Sequence, residues 1–180
     1  MNNQNIIDII KINPQLVVFV GFFIYAFSLG AMFPRLDDIQ TSLAIDKAEL
    51  GLLLLCIPLG LQVTLVFADR LVRAIPLKNI ICIGIPSICF MQFAAVAINQ
   101  ISFFAFFLIV CGSFVAVVEV AINLEADRVE HALGSRIMNR SHAFWSIGFF
   151  SAAVVGALFS QFKVMLEIHF LLICVISFVT

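Results

Sequence analysis

ISFFAFFLIVCGSFVAVVEVAINL, residues Ile101 to Leu124, contains a single formal charge, Glu119. As a helix, this stretch rises about 36 Å at 1.5 Å per residue, enough to cross roughly 30 Å of hydrocarbon. A carboxylate inside such a helix is costly unless it is protonated, paired or turned toward a water-filled cavity, so Glu119 is a candidate functional residue. Asn123 follows four residues later and projects from the same face. Two roles are open for the pair. Glu119 could bind a proton or a polar solute, with the Asn123 amide as donor and acceptor beside it. Alternatively, the two could be structural, with a neutral Glu119 bonded to a neighbouring helix or reaching back to the interface.

Five further apolar runs flank this one: Leu16 to Phe33, Leu50 to Ala68, Ile80 to Ile98, Ala143 to Phe162 and Val164 to Val179. The last is the shortest and has no basic or aromatic anchor behind it. The composition agrees with this pattern, at 63% hydrophobic and 12% charged with 20 Phe, where a soluble domain is about 45 to 50% apolar. The expected fold class is therefore an all-α membrane protein, a six-transmembrane-helix bundle. The spans are about 16–33, 50–68, 80–98, 101–124, 143–162 and 164–179. A cleaved signal peptide fits poorly, because the run after Lys11 exceeds the usual apolar core of such a segment.

The net charge of −1 is uninformative, but its distribution is not. Lys11, Arg70, Arg73, Lys78, Arg128, Arg136 and Arg140 fall on one side of the predicted spans. Arg35, Lys47 and Lys163 fall on the other. The positive-inside rule places the N-terminus in the cytoplasm. Cys56, Cys82, Cys89, Cys111 and Cys174 all lie within spans and read as small packing residues.

The connections add detail. Met1 to Ile12 reads as a short amphipathic lead-in, and Arg35 to Lys47 as an exterior loop. Asp46 and Glu49 have capping-box spacing and should start the second span. Gly51, Pro58 and Gly60, then Gly84 and Pro86, suit either close helix packing or hinge points. Asn99 and Gln100 alone join spans three and four, which must be antiparallel neighbours. Glu125 to Ser141 suits a solvated helix with an i, i+3 pair between Glu125 and Arg128.

Few other residues carry chemical potential. His142, Trp145 and Ser146 open span five. Trp145 and Tyr25 are candidate cavity aromatics, and His142 is a candidate hydrogen-bonding or protonatable group; the aromatics also suit interfacial anchoring. Glu167 and His169 read as interfacial. Asp69, Arg70 and Arg73 form a basic cytoplasmic stretch. No nucleophile elbow, His-Glu-x-x-His site or paired-cysteine motif occurs, so neither an enzyme nor a bound metal or cofactor is expected.

Three segments resemble the N-terminal half of major facilitator superfamily transporters, and the resemblance spans essentially the whole chain. They are Ala48-Glu-Leu-Gly51 with Pro58-Leu-Gly60, Gly112 to Asn123 with its Glu119-x-x-x-Asn123 pattern, and Met138-Asn-Arg-Ser-His142-Ala-Phe-Trp-Ser-Ile-Gly148. They are most similar to the fucose-permease-like branch and related uncharacterised bacterial inner-membrane transporters. The resemblance implies a proton-linked role for Glu119, a solute-side role for Asn123 and a gating loop at Asp69, Arg70 and Arg73. Val72 replaces the glycine of that loop signature. Gly30 stands where fucose permeases carry a second acidic residue before the proline of helix one.

The expected function is transport of a small polar solute such as a sugar, by proton-coupled alternating access. Residues 1–180 would form one half of a carrier, with protons, the solute and the bilayer as partners and no nucleic acid. The other half would be a missing C-terminal unit or a second copy of the chain. The short sixth span favours a truncated product. The alternative is a non-transporting six-helix accessory or regulatory subunit.

Overall fold

A computed structural model describes residues 13–179, which are helical throughout apart from short connections. Asn13 caps the first helix through its side chain, which accepts from the Gln15 N–H at 3.1 Å. Pro14, which has no N–H to satisfy, occupies the first turn. The helices are α1 (Pro14–Gly30), α2 (Leu36–Leu43), α3 (Lys47–Leu54), α4 (Cys56–Ala74), α5 (Leu77–Ile98), α6 (Ile101–Leu133), α7 (Met138–Gln161) and α8 (Leu166–Val179). A 3-10 turn, Phe33–Arg35, connects α1 to α2.

Among the described residues, five helical segments are long and apolar enough to cross a membrane: α1 with α2, α3 with α4, and α5, α6 and α7 singly. The chain is thus an integral membrane protein by length and composition. The sixth apolar helix, α8, has 14 residues. At 1.5 Å per residue its described part is about 21 Å long.

Two stretches differ from the sequence expectation. The predicted exterior loop, Arg35 to Lys47, is mostly helical, because Pro34 begins a new turn instead of ending the span. Proline at a first turn loses no hydrogen bond, so the chain stays helical to Leu43 and then turns at Ala44, where φ is 53°. The predicted gating loop is also helical. Asp69, Arg70 and Arg73 sit in the last turns of α4, and the connection shrinks to Ile75 and Pro76. Pro76 pushes Ile75 out of the helical region, to φ −123° and ψ 134°, and that ends the helix.

The capping box forms as the spacing predicts. Asp46 Oδ1 accepts from the Glu49 N–H at 2.8 Å, and Glu49 Oε2 accepts from the Asp46 N–H at 2.9 Å. Between α3 and α4 the helix breaks at Leu55, whose N–H bonds to Leu52 at 3.2 Å. Pro58 has no N–H to offer the Leu54 carbonyl one turn earlier, which accounts for the interruption.

Helix α6 is the centre of the bundle. It packs against α4 on one side and α5 on the other, while α1 packs on α7 and α5 on α8. In lipid no hydrophobic gain drives helices together, so close backbone approach at small residues supplies the packing. Gly60 of α4 faces the carbonyl of Ile109, and Gly112 of α6 faces the carbonyl of Ile57. A methyl at either position would overlap main-chain atoms. Gly148 of α7 lies against the Phe23 carbonyl in the same way, so the α1–α7 crossing uses the same device. Gly51 faces open space and has no such role.

Buried side chains form two clusters. One includes Met32, Ile39, Phe104, Leu166 and Phe170 and lies toward the end where α5 meets α6. The other includes Phe22, Tyr25, Val115, Val118, Ile122 and Ile137 and lies toward the opposite end. The five cysteines are free thiols.

Candidate functional site

Glu119 points from α6 toward α1. The Tyr25 hydroxyl donates to Glu119 Oε2 at 2.5 Å, across 94 positions of sequence. On the same helix face, Asn123 Nδ2 donates to Glu119 Oε1 at 3.3 Å and to the Glu119 backbone carbonyl at 2.8 Å. Each carboxylate oxygen therefore has a donor. Tyr25 is 1% exposed and sits in the second buried cluster. It lies about 16 Å along α1 from Pro14, roughly half the hydrocarbon thickness, and this contact holds the Glu119 carboxylate toward the middle of the bundle.

The other aromatic candidates lie around this pair. Trp145 stacks on Phe149, with ring centroids 5.3 Å apart and planes 18° apart, and packs against the cluster that contains Tyr25. His142 is exposed at the start of α7 and meets the edge of Phe22 at 5.4 Å. Phe22 lies one turn from Tyr25 on α1, so α1 brings Tyr25, Glu119 and His142 into one neighbourhood. Asp69, Arg70 and Arg73 do not join it. Arg73 Nε pairs with Asp69 at 3.0 Å, with both side chains solvent-exposed at the end of α4.

A second polar cluster was not visible in the sequence. Arg35, expected in an exterior loop, is 2% exposed. Its Nε pairs with Asp38 at 2.5 Å, one terminal nitrogen lies 3.2 Å from His169 Nδ1, and the other donates to the Val164 carbonyl at 2.7 Å. His169, interfacial by its place in the sequence, is fully buried, set against Phe159 and Phe170 at ring distances of 5.0 and 5.1 Å. The reason is the α7–α8 connection. Lys163 adopts a left-handed φ of 53°, which turns the chain back so that the Val164 carbonyl and His169 both face Arg35. The one sequence signal was Arg35 directly after a proline that permits continued helix.

Toward the basic end, Glu130 of α6 accepts the N–H groups of Ile137 and Met138 at 2.7 and 2.9 Å. It thereby caps the first turn of α7 across the Gly134 turn, where φ is 62°. These bonds, with the nearby Arg136 guanidinium, hold its carboxyl below the usual range. The predicted Glu125–Arg128 pair is present at 2.8 Å. Among the described residues, no group of three or more His, Cys, Asp or Glu side chains is placed to hold a metal ion.

The chain is similar to two curated proteins. It is 28% identical over 146 residues to an uncharacterized MFS-type transporter of Yersinia pestis, covering 81% of this chain and 37% of that protein. It is 28% identical over 166 residues to the uncharacterized transporter y4wD of Sinorhizobium fredii (strain NBRC 101917 / NGR234), covering 91% of this chain and 44% of that one. The chain thus spans less than half the length of the curated relatives it matches. No family model matches the chain, and no solved structure matches it significantly.

Proposed function

We propose that this chain is the N-terminal half of a major facilitator transporter of the fucose-permease-like branch. It moves a small polar solute, such as a sugar, together with protons by alternating access. The carrier sits in a bacterial inner membrane with the N-terminus in the cytoplasm. A second six-helix unit completes it, either a continuation of the chain or a second copy, and the solute cavity lies between the two units. The likeness to proteins described as transporters supports the class.

The observation that carries the reading is the Tyr25–Glu119–Asn123 cluster, the only place where a carboxylate interrupts the apolar run of α6. In this mechanism the carboxylate waits with both oxygens bonded. A proton arriving at Oε2 displaces the Tyr25 hydroxyl, and the freed hydroxyl and the Asn123 amide turn to the solute. His142, on the edge of Phe22, stands at the solute side of the same helices. Release of the proton on the opposite face restores the Tyr25 bond and resets the carrier.

The test is proton-driven uptake by the Glu119→Gln variant, with membrane insertion monitored in parallel. Accumulation should be lost while insertion persists. Normal concentrative uptake by a well-inserted variant would rule out the assignment of Glu119.

A further inference from the structure

A groove of about 880 Å³ lies between α1, α5, α6 and the end of α8, and neither Tyr25, Glu119 nor Asn123 is among its walls. Its sides are apolar, with Val20 and Ile24 on α1 and Ile81, Cys82 and Ile85 on α5. Its rim carries Lys78, Glu125 and Arg128. Arg128 is tied to Glu125, whereas Lys78 is exposed and has no carboxylate partner among the described residues. The rim is therefore net positive, and it lies at the end of the bundle where Arg70, Arg73, Arg136 and Arg140 also fall.

The dimensions suggest the occupant. From Lys78 to Pro86 the wall of α5 runs about 12 Å at 1.5 Å per residue, close to the roughly 15 Å depth of one hydrocarbon leaflet. Positions 78, 81, 82, 85 and 86 recur on one helix face, so the wall is continuous from the charged rim inward. A soluble anion would use the rim and leave the apolar wall empty. A membrane lipid uses both, since basic pockets between helices on the cytoplasmic side suit anionic head groups.

We propose that this groove binds one anionic glycerophospholipid, with its phosphate at Lys78 and Arg128 and an acyl chain along α1 and α5. The test is native mass spectrometry of the detergent-solubilised protein, with phosphatidylglycerol or phosphatidylcholine of matched acyl composition added in equal amounts. The wild type should retain phosphatidylglycerol preferentially. Lys78→Gln should cut that preference about fivefold, equivalent to about 1 kcal/mol. Cys82→Trp fills the groove and should reduce retention of both lipids, whereas Ile83→Trp, on the exposed face beside it, should not. Equal retention of the two lipids by the wild type, or an unchanged preference in Lys78→Gln, would overturn the proposal. So would full retention in Cys82→Trp, which would place the retained lipid outside the groove. If Cys82→Trp fails to fold, the comparison of wild type with Lys78→Gln still decides.

Discussion

Replacing Gly60 by alanine tests whether the backbones of α4 and α6 touch as closely as the structure has them. The added methyl would overlap the Ile109 carbonyl, which is main chain and cannot rotate away. The two helices must then part, and a gap of half to one ångström forfeits a quarter to a half of each lost contact. Inserting a methyl into a packed site costs about 1 to 3 kcal/mol. Alanine returns roughly 0.5 to 1 kcal/mol of helix propensity, so the net loss is on the order of 1 to 2 kcal/mol. Gly51→Ala supplies the control. Its Cβ meets nothing within 4 Å, so only the propensity gain remains. The two variants should shift stability in opposite directions, with a gap of about 2 kcal/mol or a factor of roughly 30. Trp145 is the single tryptophan and can report unfolding in mixed micelles on titration with a denaturing detergent. Equal shifts for the two variants would refute the close crossing.

Other consequences can be tested with the same preparation. Tyr25→Phe removes the hydroxyl that turns to the solute once the proton has displaced it from Glu119, a hydrogen bond worth about 1 kcal/mol, so proton-driven uptake should fall about fivefold while the protein still inserts. Arg35→Gln leaves Asp38 and His169 without their partner, and removing one member of a buried pair costs about 3 to 5 kcal/mol. The lower end applies, because the Asp38 side chain keeps 32% exposure; the same micelle titration reads the loss. Glu130 has a carboxyl held low in the folded protein, so its contribution is complete above its unfolded pKa and disappears as pH falls through the depressed value. The protection of the Ile137 and Met138 amides, taken relative to their intrinsic exchange rate at each pH, should therefore fall under acid conditions in the wild type. In Glu130→Gln, that protection should already be low at neutral pH.

Much of the fold was legible because membrane helices declare themselves by length. The long apolar runs, the two-residue link at Asn99 and Gln100 and the Asp46–Glu49 capping box each rest on local chemistry within a few residues. The Glu119–Asn123 pair was readable for the same reason, being one helix turn apart. The Tyr25 contact was not, because it joins positions 94 apart and depends on how α1 packs on α6. The burial of Arg35 and His169 was not legible either, for a related reason. Charges after a proline look like a loop in sequence, and only the α7–α8 turn at Lys163 shows that the guanidinium has buried partners. The Asp69–Arg73 stretch is a different case, since basic residues near a span end look the same in sequence whether they finish a helix, as here, or form a loop.

The most direct test is carbodiimide labelling of Glu119 in native membranes, read by mass spectrometry as pH is varied. A lipid-soluble carbodiimide attacks protonated carboxyl groups that it reaches from the membrane interior. A proton-carrying Glu119 should label increasingly as pH falls, and excess transported solute should slow the reaction, while the exposed Asp69 should show no such protection. Absence of labelling at every pH, in protein shown to be inserted, would contradict a proton-coupling role for Glu119.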